Sequence, residues 1–215
     1  MLQRLGLQTA EAINRNGIEY IAQWNLSDLD KTKKYFNTVN VLKQNRDTDC
    51  IKLVESFDDK LERLYNDQTT DIEPFHVGRS TNKVVNDGMV RIAENVTNSL
   101  GLNTQLFSGS GFYVAIASGT GTNPVNAADS ELQFENARVQ FGSEGFSLAA
   151  GTVMRFGGFF APSIPSALIS ESGVFDDFSA GSMLYRTVYS PIDQATHVLN
   201  ADYYTLSHAI YQMSV

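Results

Sequence analysis

Phe112-Tyr113-Val114-Ala115-Ile116-Ala117 breaks into Ser118-Gly119-Thr120-Gly121-Thr122, and the chain later closes on Ser172-Gly173-Val174-Phe175-Asp176 and Met183-Leu184-Tyr185-Arg186-Thr187-Val188-Tyr189. Short apolar runs separated by Gly, Ser, Asn, Asp and Pro clusters are the pattern of an antiparallel β domain. Within the first run the period is two. Phe112, Val114 and Ile116 point one way, and Tyr113, Ala115 and Ala117 the other. Further strands are expected at 131–141, 146–156, 167–175, 182–190 and 203–214. Turns are expected at Ser143-Glu144-Gly145 and Ser179-Ala180-Gly181. Such spacing predicts a sandwich or barrel. The last strand, Tyr203-Tyr204-Thr205-Leu206-Ser207-His208-Ala209-Ile210-Tyr211, alternates throughout. It is either central in the sheet or an edge completed by another chain.

Upstream the period shifts towards a helical one. Leu2, Leu5 and Ile13 suit a first helix that ends near Asn16-Gly17. Ser27-x-x-Asp30 resembles a capping box ahead of Tyr35, Val39 and Leu42. The strongest helix follows Asp47-Thr48, with Ile51, Val54, Phe57, Leu61 and Leu64 on one stripe and Lys52, Glu55, Asp59, Glu62 and Arg63 opposite. Asp71-Ile72-Glu73-Pro74-Phe75 is a natural linker. Val85, Met89, Ile92, Val96 and Leu100 then define a helix that ends at Gly101 and packs on the sheet. The expected fold class is therefore α+β. A helical region over 1–75 and a linker with an amphipathic helix over 76–105 precede an antiparallel β-sandwich domain over 106–215.

Composition bounds the function. Of 215 residues, 42% are hydrophobic and 19% charged, so the chain has the means to bury a core. A net charge of −8 and no basic stripe argue against nucleic acid as partner; Lys31, Lys33 and Lys34 are offset by Asp28 and Asp30. No apolar run of membrane-spanning or signal-peptide length occurs, so a soluble protein from a reducing compartment is expected. The single Cys50, beside Asp49 at a helix start, is expected to be a buried small apolar residue.

Chemistry is sparse in these residues. The glycine-threonine loop at 118–122 lacks the lysine and following helix of a phosphate cradle, and Gly109-Ser110-Gly111 lacks the dinucleotide fingerprint. Ser110 is not in a nucleophile elbow. His76, His197 and His208 have no zinc-ligand spacing and are expected at surfaces or interfaces. Asp58 and Asp59 are adjacent on a helix, where neighbours do not face each other. Asp129, Asp176 and Asp177 suit calcium by chemistry, but no EF-hand loop contains them. Glu171, inside a strand, is either solvent-facing or in a cross-strand ion pair with Arg186. No catalytic, cofactor-binding or metal-binding residue is expected, and neither an enzyme nor a cofactor is indicated.

Two blocks carry a resemblance. The first joins residues 112–122 to Ala128-Asp129-Ser130-Glu131-Leu132-Gln133-Phe134-Glu135-Asn136-Ala137-Arg138. It resembles a tailed-bacteriophage structural-protein pattern, aromatic-x-Ala-x-Gly-x-Gly-Thr, a spacer, then Asp-x-x-Leu-x-x-Glu-x-x-Arg. The second runs from Ile169-Ser170-Glu171-Ser172-Gly173-Val174-Phe175-Asp176 to Arg186-Thr187-Val188-Tyr189. It is similar to the Ile-x-Glu-x-Gly-Leu-Phe-Asp … Gly-Gly-x-Leu-x-Arg block of the same proteins, often tail-fibre or neck-associated. The likeness spans about residues 80 to 190. It departs at Ser118 and Ala180-Gly181, where small residues replace glycines.

The resemblance implies a virion component made in the host cytoplasm. Its partners would be other virion proteins and further copies of itself in a symmetric ring or fibre, with no nucleic acid and no membrane. It would be a neck or tail (collar or fibre-attachment) element; a capsid decoration protein or a host-surface carbohydrate-binding module using Trp24 or exposed tyrosines as a stacking platform are the alternatives. Arg138, Glu171, Asp176 and Arg186 are the candidates for fixing the sheet and its register, and Tyr203, Tyr204 and Tyr211 for the interface.

Overall fold

The computed structural model describes residues 16–25, 34, 37–38, 49–72, 74, 76–89, 113–118, 125–140, 145–150, 153–161, 167–179, 181–190, 198–199 and 202–212. Its centre is a strand in the segment where a helix was expected to end. β1 (Asn16–Asn25) turns Tyr20, Ala22 and Trp24 to one face and Glu19, Ile21 and Gln23 to the other, as a two-residue period requires. It pairs antiparallel with β2 (His76–Val84) on one side and β11 (Tyr203–Gln212) on the other.

The remaining strands of the sheet are β3 (Tyr113–Ala117), β4 (Glu135–Gln140), β5 (Gly145–Ala150), β6 (Val153–Phe160), β8 (Glu171–Phe175) and β9 (Met183–Val188). All nine form one antiparallel sheet in the order β4-β3-β8-β9-β2-β1-β11-β6-β5. A separate two-residue ladder joins β7 (Ala167–Leu168) to β10 (Val198–Leu199).

Topology dictates that this sheet curls. β4 and β5 occupy opposite ends of the strand order, yet only residues 141–144 separate them in the chain. Five residue steps span at most roughly 18 Å, so the two edges must come round towards each other. The closure is tight where β6 crosses β3. A Cβ on Gly158 would stand 2.6 Å from Val114 Cβ, so only glycine lets these inner faces meet. The inner core comprises Ile21, Val114, Ile116, Val139, Phe160, Val174, Tyr185 and Ala209 among others.

Two covers seal the outer face. Helix α1 (Asp49–Tyr65) lays Cys50, Val54, Phe57 and Leu61 on Tyr20, Ala22, Trp24, Phe159 and Leu206. Asp49 in its first turn and Arg63 in its last oppose the helix dipole favourably. It ends as Asp67 adopts a left-handed φ of 59° and Gln68 N donates to Arg63 O at 2.9 Å. Over β3, β8 and β9, Leu132 and Val85 pack on Ala115, Ala117, Phe175 and Met183.

This architecture overturns the expected α+β division. The chain is mostly antiparallel β in a nearly closed, barrel-like sheet, and β1 and β2, placed in a helical region and a linker, are central strands. Helix among the described residues is confined to α1, residues 86–89 and positions 34, 37 and 38. The physical reason is the sheet's polar interior. β2 presents Gly78, Ser80 and Asn82 inward, which by hydropathy alone looks like a loop.

Other expectations agree with the structure. The stripe Ile51, Val54, Phe57, Leu61, Leu64 lies within α1, Cys50 is buried at its start, and Val114/Ile116 and Ala115/Ala117 divide between inner and outer clusters. β11 is central. The helix expected at 2–13, most of those at 27–42 and 85–100, nearly all of the loop at 118–122 and most of the turn at 143–145 lie outside the described residues.

Candidate functional site

Three polar clusters organise the sheet. The first joins the two sequence blocks on its outer face. Arg186 on β9 sends Nε and Nη2 to Glu171 Oε2 on neighbouring β8, at 2.8 and 2.7 Å, so the cross-strand pair expected from sequence is present. Arg186 Nη1 also reaches Asp129 Oδ2 at 2.7 Å. Burial opposes the guanidinium charge, but the hydrogen bonds and attraction of Asp129 and Glu171 outweigh it, and the Arg186 pKa is raised. Glu171 is fully buried, so removing Arg186 would strand a carboxylate in the protein interior, a change worth roughly 3–5 kcal/mol.

The neighbouring contacts follow the same blocks. Arg138 on β4 grips both Glu135 oxygens at 2.8 and 2.6 Å, donates to Asp177 O at 2.5 Å, and sets its guanidinium 3.8 Å from the Phe175 ring centroid. Asp176 accepts from Ser182 N at 2.7 Å and so closes the turn after β8. In that turn a Cβ on Gly181 would lie 2.3 Å from Asp177 N. Arg138, Glu171, Asp176 and Arg186 are thus brought to one region of the sheet. The tyrosines are not: Tyr203 and Tyr204 sit half-buried on β11, Tyr204 stacked on Phe159 at 5.1 Å between centroids. Tyr211 pairs with Gly17 and Met154 in register, and its side chain lies outside the described residues.

The second cluster sits inside the curled sheet. Glu19 on β1 is completely buried and accepts from Ser172 Oγ at 2.5 Å, Ser207 Oγ at 2.6 Å, Tyr189 OH at 2.8 Å and, closely, from Thr187 Oγ1. Four hydroxyls from β8, β9, β11 and the residue after β9 therefore satisfy one carboxylate. Burial first, and then the Glu19 charge, push the phenols of Tyr185 and Tyr189 well above their ordinary pKa. Beside them Gln23 Nε2 donates to Thr205 Oγ1 at 2.9 Å.

The third cluster fastens α1. Asp58 meets His208 Nε2 on β11 and Arg155 Nε on β6, each at 2.6 Å. One turn on, Glu62 accepts from Tyr20 OH on β1 and pairs with Arg79 Nε on β2 at 3.3 Å. The Phe57 ring stands edge-on to His208, 5.8 Å between centroids. His208 is completely buried, contrary to the surface or interface position expected. This histidine–carboxylate pair crosses 150 positions of sequence, so no local spacing announces it. Trp24, weighed as a carbohydrate platform, is buried beneath α1 and donates to Ile72 O at 2.6 Å.

Two of the carboxylates weighed for calcium are engaged by protein groups: Asp129 by Arg186 and Asn126 N, Asp176 by Ser182 N. Among the described residues no three His, Cys, Asp or Glu side chains converge as a metal site would need, and no helix is long and apolar enough to cross a membrane. A cavity of about 260 Å³ opens where α1 faces residues 71–72, with Leu53, Phe57 and Ile72 in its wall and Lys60 held by Asp71. No family model matches the sequence, and no curated protein or solved structure matches it.

Proposed function

We propose that the chain is a non-enzymatic structural component of a tailed-phage virion. It is placed in a neck or tail layer, collar or fibre-attachment, through contacts with other virion proteins and copies of itself. One observation carries this reading: the two blocks that resemble phage structural proteins are wired to each other. Asp129, Leu132, Glu135 and Arg138 from the first block meet Glu171, Phe175 and Arg186 from the second, or one another, in one continuous set of contacts. Residues at motif spacing here serve to hold strands and a covering segment in register.

The hydroxyls gathered round Glu19 lie inside the nearly closed sheet, where Glu19, Ser172, Thr187 and Ser207 are 0% exposed. The exposed large apolar side chains are assets for docking instead: Phe134 is 64% exposed, Phe178 62% and Leu168 52%. The test is to purify the particles that carry this gene product and map the chain by mass spectrometry and image reconstruction. A fixed copy number in a symmetric neck or tail layer is expected. Absence from purified particles would overturn the proposal, and a capsid-lattice position would replace the neck and tail assignment with a decoration role.

A further inference from the structure

α1 is held to the sheet by two of its carboxylates, one helical turn apart. Asp58 spans β11 and β6 through His208 and Arg155, and Glu62 spans β1 and β2 through Tyr20 and Arg79. Beneath the helix lies an apolar strip containing Ala22, Trp24, Phe159 and Leu206. We propose that α1 is an acid-released cover, clamped over this strip by its carboxylate contacts and lifted from it in acid.

The charges are arranged on one plan. Facing the helix are Tyr20 from β1, Arg79 from β2, Arg155 from β6 and His208 from β11; three are basic and none is acidic. On the helix's own flanks Lys60 is paired with Asp71, and Arg63 bonds to Gln68 and Thr69 O. Acid therefore acts on the helix side of the contact. It removes carboxylate charge that α1 contributes, while the Arg79 and Arg155 guanidinium groups below keep theirs.

The sign for Glu62 is explicit. The Tyr20 hydroxyl, chiefly, then Asn66 and Arg79, hold its carboxyl below the ordinary range against the effect of burial. Its contribution is complete above the ordinary glutamate pKa, roughly 4.3, and fades as pH falls through the lowered value. Release belongs below the ordinary carboxylate range.

Trp24 is the only tryptophan in the chain and lies 1% exposed under α1, so its emission reports the cover directly. The experiment titrates the full chain from pH 7 downwards while following Trp24 emission and segment-resolved hydrogen exchange. The expected result is a red shift of Trp24 together with at least a tenfold faster exchange of α1 amides, while amides of β3, β8 and β9 keep their protection. At pH 7 the double variant Asp58→Asn, Glu62→Gln should show the same selective exposure, and Asp129→Asn, which perturbs a carboxylate away from α1, should not. Opening of α1 together with β3, β8 and β9 in one step would overturn the proposal. So would α1 amides that stay protected in acid. The wild-type titration decides the matter even where the double variant fails to fold.

Discussion

A carboxylate inside a sheet needs either a cation or several donors, because the desolvated charge is otherwise too costly to keep. Glu19 has the second solution, with hydroxyls from four residues closing on its two oxygens. That choice constrains its neighbours. A phenolate at Tyr185 or Tyr189 would stand in the same sealed space as the Glu19 charge, and burial would already oppose it. Both phenols are therefore neutral in the fold at pH values where an exposed tyrosine, with a pKa of about 10, has begun to ionise. The linkage sign follows. The folded pKa lies above the unfolded one, so stability is intact below about pH 10 and is lost as pH climbs above it, because the unfolded chain releases protons that the fold retains. Spectrophotometric titration at the tyrosinate band should show these two of the 9 tyrosines, together with Tyr20, whose phenol is also raised by burial and by Glu62, ionising late, and Tyr189→Phe should reduce the late-ionising group by one. Smooth ionisation of all tyrosines within the folded state would contradict a sealed interior.

At the scale of elements, α1 was the most legible part of the chain. Val54, Phe57 and Leu61 recur at helical spacing, and each is buried on the sheet. Leu61 is completely buried against the outer face, whereas Leu64 is only partly so. Leu61→Ala should therefore cost roughly 2–5 kcal/mol and Leu64→Ala clearly less, read as the shift in urea midpoint at constant slope. Equal effects would mean that the helix packs differently. β3, β4, β8, β9 and β11 fall within expected strands, but the single strand expected at 146–156 is the paired β5 and β6, and β10 was not anticipated. Nor were β1 and β2. In β1 the period is present, with Ile18, Tyr20, Ala22 and Trp24 alternating with Glu19 and Gln23, but its polar side is the inner face, where polar residues are not anticipated. In β2 the inner positions Gly78, Ser80 and Asn82 carry almost no hydropathy. A sheet that lines part of its interior with hydroxyls around a carboxylate hides its own central strands. The Glu171–Arg186 pair was legible because its partners are diagonal neighbours on adjacent strands, while Asp58–His208 joins α1 to β11 across 150 positions and Glu19 lies on the unanticipated β1.

The whole molecule is closed by a contact between its most distant segments. β1 and β11 are neighbours in the middle of the sheet, and the pairing Asn25↔Tyr203 encloses roughly 180 residues of chain. Closing such a loop costs roughly 2.6 kcal/mol more than closing one of ten residues, so a nucleus that includes this seam forms slowly. The same ladder ends with Gly17 opposite Tyr211, which sets the far ends of the two strands side by side. A circular permutant follows from this geometry: Gln212 is joined to Asn16 through a short Asn-Gly turn, and new termini are opened within residues 141–144. The central seam then becomes a local hairpin, residues 1–15 and 213–215 are left out, and the connection bridging the sheet's two edges is opened. Stopped-flow refolding should be at least tenfold faster than that of the parent chain, with unfolding little changed, if the seam belongs to the nucleus. Edge closure should survive, because the inner faces of β3 and β6 are already locked where Val114 meets Gly158. A permutant that refolds no faster would place the nucleus elsewhere, in the contiguous β8–β9 hairpin. One that loses its fold would show that residues 141–144, rather than packing across the interior, hold the two edges together.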